Sequence, residues 1–136
     1  IHLARDGEGA TKLIECTVSG ARSEAEAREA ARKVCASNLL KCAINGCDAN
    51  WGRVAAALGN STAVFDQRHV AIKILGVPVM RKGLPVAYDE PALQARMREE
   101  TTIPIEANLG AGKAKATAWG SDLSVEYIKI NADYRT

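Results

Sequence analysis

Along this 136-residue chain the spacing of apolar positions switches between two periods, and the switches mark out the elements. Leu13, Cys16 and Val18 give a strand with imperfect alternation, ended by Gly20. Ser23 and Glu26 have the spacing of a capping box, and Ala27, Ala31, Val34 and Cys35 continue as a helical stripe to about Ser37. Leu39 to Ile44 is a short apolar segment, followed by the turn Asn45-Gly46-Cys47-Asp48. Asn50 is placed to cap a short helix through Leu58, with Gly59 as its stop. Val70, Ile72 and Ile74 alternate with Ala71 and Lys73 as a strand does, and a second strand follows at about Val77 to Met80 before a turn at Lys82-Gly83. Asp89 caps a further helix with Pro91 in its first turn and Leu93 and Met97 on its inner face. Ile103 and Ile105 flank Pro104 in a strand over residues 102–109, and the proline predicts an edge position because it has no N–H to give to a ladder. Gly110-Ala111-Gly112 reads as a hairpin turn into a last alternating strand, Lys113 to Trp119. The segment from Leu123 to Ile130 fits a helix and a strand equally well.

Strands and helices interleave, yet some strands are joined by hairpin-like connections. That pattern predicts an α/β domain with layers and a mixed sheet, not a doubly wound parallel sheet. No repeat, linker or low-complexity stretch divides the chain, so residues 1–136 read as a single domain. Composition then narrows the picture. Apolar residues make up 47% and aromatic residues only 4%, so the core has to be aliphatic and rich in alanine. A net charge of +2 and no run of five like charges argue against nucleic acid and against an anionic membrane surface. No apolar run reaches the roughly 18 residues of a membrane helix. The start at Ile1, without Met, reads as a cut or processed end and not as a signal peptide. Cys16, Cys35, Cys42 and Cys47 read as reduced thiols of a cytoplasmic protein, since a chain of this size needs no disulfide staples. The spacing Cys42-x4-Cys47 is a poor zinc pattern that neither His2 nor His69 completes, so no metal is expected.

Few segments could carry chemistry. Asp6-Gly7-Glu8-Gly9-Ala10-Thr11-Lys12 sets two carboxylates and two glycines ahead of a strand, where backbone could approach a ligand and a carboxylate could hold an amine. On composition alone it reads as an acidic solvated turn, and it lacks the third glycine of a dinucleotide fingerprint. Gly110-Ala111-Gly112-Lys113 fails as a phosphate loop, because Ala107 stands at the first glycine position and Ala114 replaces the Ser or Thr. Trp51 and Arg53 open a helix, the first read as core and the second as surface. The closing residues Asn131 to Thr136 are polar, as a disordered tail would be.

Five stretches nevertheless resemble, in order, the signatures of the ornithine acetyltransferases (glutamate N-acetyltransferases). They are DGEGATK at 6–12, CDANWGRVAAALG at 47–59, ILGVPVMRKG at 74–83, ATAWGSDLS at 116–124 and INADYRT at 130–136. The resemblance implies the C-terminal part of that family's β chain and a layered α-β-β-α sandwich with a mixed sheet. It also implies acetyl transfer from N2-acetylornithine to glutamate in cyclic arginine biosynthesis, with acetyl-CoA as a second donor in some members and no cofactor. In this family a precursor cuts itself before a threonine that then carries the acetyl group, its own terminal amine serving as base. That threonine is followed by Met-Leu, and no threonine here is, so the nucleophile and the oxyanion hole are expected upstream, on an α chain and the N-terminal part of the β chain. Further departures are Ala49, where proline is common, and Ser121, where cysteine is common. Glu8, Asn131 and Thr136 match the family's substrate contacts, Glu8 suiting an ammonium group and the terminal carboxylate of Thr136 a substrate amine. The competing reading is a catalytically inactive amino-acid-binding or scaffold module derived from such an enzyme.

Overall fold

The computed structural model describes residues 12–122. Ten α-helices and β-strands follow one another in these residues: β1 (Leu13–Ala21), α1 (Glu24–Cys35), α2 (Asn38–Asn45), α3 (Trp51–Gly59), β2 (Ala71–Ile74), β3 (Val77–Arg81), β4 (Leu84–Pro85), α4 (Glu90–Glu99), β5 (Thr102–Asn108) and β6 (Ala114–Ser121). The strands form one six-stranded sheet in the order β4-β3-β2-β5-β1-β6. β1 and β5 run parallel and every other neighbouring pair is antiparallel, so the α/β class with a mixed sheet stands as the pattern predicted.

Directly opposed residues share a face, and the register brings Ile14, Cys16 and Val18 beside Ile103, Ile105 and Ala107. Ile72 and Ile74 continue that row from β2, and all eight side chains are buried. α1 lies on β1 and β6 of this face through Ala27, Ala30, Ala31, Val34 and Cys35, small residues that let helix and sheet approach closely. The opposite face is half-buried and polar. There Thr17 and Thr117 share a hydrogen bond of 2.8 Å between their hydroxyls, and Trp119 Nε1 donates to Glu15 Oε2 at 3.2 Å.

Local chemistry sets the helix starts. Ser23, Ser37, Asn50 and Asp89 accept from the N–H of Glu26, Leu40, Arg53 and Ala92, each relieving one orphan donor of a first turn. The apolar segment at 39–44 is therefore helical, as α2. The capping box at Ser23 forms only its first half, because the Glu26 carboxylate is taken by Arg22 at 2.8 Å and by the N–H of Val64 at 3.2 Å. Leu75-Gly76 and Lys82-Gly83 have both central residues at positive φ, the geometry of the two-residue turns that suit twisted hairpins.

Two expectations are corrected. Pro104 is not on an edge: β5 lies between β2 and β1. The proline is tolerated because it faces Leu75, one residue past the end of β2. Its carbonyl accepts from the N–H of Leu75 at 2.9 Å, while the carbonyl of Leu75 accepts from Arg96 Nη1 at 3.1 Å. The N–H that proline lacks is thus supplied by a side chain.

Nor is the turn at Gly110–Gly112 a hairpin. β5 and β6 flank β1, so the connection crosses the end of β1, held by Leu109 N–H to the carbonyl of Ser19 at 2.9 Å and Ala111 N–H to that of Gly20 at 2.7 Å. A Cβ on Gly112 would collide with the Ala21 carbonyl oxygen and lie 3.0 Å from Arg22 Cα, both backbone atoms unable to rotate away. Gly112→Ala is expected to cost about 1–3 kcal/mol in urea unfolding, the range for overpacking. Gly52→Ala, where the nearest atom stands at an ordinary 3.4 Å, is the control and should be neutral or stabilising. Equal losses in both would show that the crossing is not tight.

Candidate functional site

Four elements converge where the described residues begin and end. Lys12, just ahead of β1, and Asp122, just after β6, are joined twice: Lys12 N–H donates to Asp122 Oδ1 at 2.7 Å, and Asp122 N–H to the carbonyl of Lys12 at 3.0 Å. The second oxygen of Asp122 accepts from Asn45 Nδ2 at 3.2 Å, which fixes the end of α2 to this pair. Lys12 Nζ donates to the carbonyl of Glu100 at 2.9 Å, placing a cation at the C-terminal end of α4, where orphan carbonyls and the helix dipole favour it. Lys41 stands one turn before Asn45 on α2 and so projects from the same side of the helix.

Lys12, Lys41 and Asp122 are all buried, at 7%, 5% and 7% exposure, unusual values for charged side chains. Burial pushes the Asp122 carboxyl above the ordinary range, and the bonds from Lys12 and Asn45 partly offset that. Burial pushes the Lys41 ammonium down, with Cys42 and Asp122 pulling the other way. Lys41 Nζ is a buried nitrogen without a hydrogen-bond partner among the described residues.

A concavity of about 250 Å³ lies apart from this junction, between the turn after α2 and the start of α4, lined by Cys47, Asp48, Ala49, Tyr88, Glu90, Pro91 and Gln94. Burial and the carboxylates Glu90 and Asp48 raise the Tyr88 phenol. Trp51 packs half-buried against the core, and Arg53 donates to the carbonyl of Leu39 at 2.8 Å, tying α3 to α2. None of the four cysteines is in a disulfide; Cys16 is fully buried, and burial together with Cys35 pushes its thiol well up, which makes it an inert core residue. Among the described residues no three His, Cys, Asp or Glu side chains gather as a metal set would require.

Glu8, Asn131 and Thr136 lie outside the described residues, in segments that join the junction at Lys12 and Asp122 respectively. Reasoning from sequence missed Lys12, Lys41, Asn45 and Asp122 as a group. The available signal was Lys41 itself, a charge set inside the apolar stretch from Leu39 to Ile44.

The comparisons with known proteins agree with one another. The chain is 55% identical over 135 residues to the arginine biosynthesis bifunctional protein ArgJ of Symbiobacterium thermophilum, covering 99% of this chain and 33% of that protein. It is 48% identical to the protein of the same name from Deinococcus radiodurans, covering 99% of this chain and 34% of that protein. The crystal structure of the Bacillus halodurans ArgJ protein superposes with a TM-score of 0.82 at 41% identity, over 96% of this chain and 62% of that one. The chain thus spans about a third of the length of the curated relatives it matches. A family model matches residues 1–136 from end to end, and the chain belongs to the ArgJ family.

Proposed function

We propose that this chain is part of an ornithine acetyltransferase, a cytoplasmic enzyme that moves the acetyl group of N2-acetylornithine to glutamate through an acyl-threonine. The observation that carries the reading is the family match over residues 1–136, together with relatives whose name places them in arginine biosynthesis. The threonine nucleophile belongs to polypeptide other than these 136 residues, because no threonine here is followed by Met-Leu. Covalent transfer through it divides one hard displacement into two easier ones, and oxyanion donors stabilise each tetrahedral intermediate. This chain contributes substrate contacts through Glu8, Asn131 and Thr136. Acetyl-CoA is a second acetyl donor in some members of the family, and the transfer calls for no cofactor.

Lengths support an assembly of two chains cut from one precursor. The same segment covers 33% of a full-length relative and 62% of the solved Bacillus halodurans chain, so the solved chain is about half as long as the relative. A division near the middle suits an enzyme that frees a threonine by cutting itself. The missing partners of this chain are then an upstream α chain and the N-terminal part of the β chain.

The experiment is ornithine release from N2-acetylornithine plus glutamate, measured on the 136-residue chain and on the full-length protein. The chain alone is expected to show no turnover, and the full-length protein to turn over with a companion polypeptide beginning Thr-Met-Leu visible by intact mass. Turnover by the pure chain would place the nucleophile within it. A full-length protein that binds substrate yet releases nothing would favour an inactive amino-acid-binding module.

A further inference from the structure

No further inference is drawn: the strongest candidate, the concavity of about 250 Å³ that Asp48, Glu90 and Tyr88 line between the turn after α2 and the start of α4, is a pair of carboxylates beside a single thiol, Cys47, and nothing in the structure shows what fills or covers it.

Discussion

Asp122→Ala is expected to destabilise the protein by about 1–3 kcal/mol, the cost of leaving a buried donor without its acceptor. The carboxylate holds three elements together: the backbone ahead of β1 through Lys12 N–H, the end of β6 through its own backbone, and the end of α2 through Asn45. Alanine leaves the N–H of Lys12 without its acceptor in a buried place and removes the negative charge acting on Lys41. Asp122→Asn separates acceptor from charge. Its amide oxygen can still receive the Lys12 N–H, and a flipped Asn45 can offer its own oxygen to the new amide nitrogen, so the loss should be clearly smaller. The pH dependence provides a further check. Burial raises the Asp122 carboxyl in the folded state, so the folded protein holds this proton more tightly than the unfolded chain does. Its contribution to stability is therefore fully present below the ordinary carboxylate range and is lost as pH rises through the folded value. Asp122→Asn should lack that component. Urea unfolding across pH would measure all three proteins; equal stability of the alanine variant and wild type would show that the junction is not held by this carboxylate.

The contrast between what was legible and what was not follows the range of the interactions. Caps were legible because a serine, asparagine or aspartate and the N–H it accepts from lie within three residues, as at Ser23, Asn50 and Asp89. Strands were legible where one face is buried, as in Ile72 and Ile74. Pro104 misled because an edge position is a property of the neighbours, and the partner that excuses the proline is an arginine on α4. Gly110–Gly112 misled in the same way: a short turn between two strands looks like a hairpin until a third strand is found between them. The junction was illegible for a plainer reason. Lys12 and Asp122 are 110 residues apart, and nothing local to either says that they meet. Function came from another source, five separated motifs in the order of one family, and the three substrate contacts they suggested fall in segments beyond the described residues.

Glu8→Gln in the assembled enzyme is expected to lower kcat/KM for N2-acetylornithine by about ten- to hundredfold, the equivalent of roughly 1.5–3 kcal/mol for one hydrogen bond to a charged group. The substitution keeps the shape of the side chain and its oxygen acceptor but removes the negative charge that would face the ornithine ammonium. Lys12 gives the expectation its physical basis. It is held through its N–H, its carbonyl and its Nζ, and Glu8 precedes it by only four residues in the chain. A carboxylate on so short a leash can be held in register with a substrate site at small entropic cost, whereas one on a long free arm could not. An exposed turn residue behaves differently: its charge is hydrated in both states, and neutralising it changes little. The donor and acceptor half-reactions separate the two readings further. Ornithine has a distal ammonium and glutamate does not, so the loss should appear in acetylation of the enzyme by N2-acetylornithine and be much smaller in the transfer of acetyl to glutamate. Wild-type kcat/KM in the variant would return Glu8 to the solvated turn, and an equal loss in both half-reactions would mean that the carboxylate supports the site without reading the ammonium.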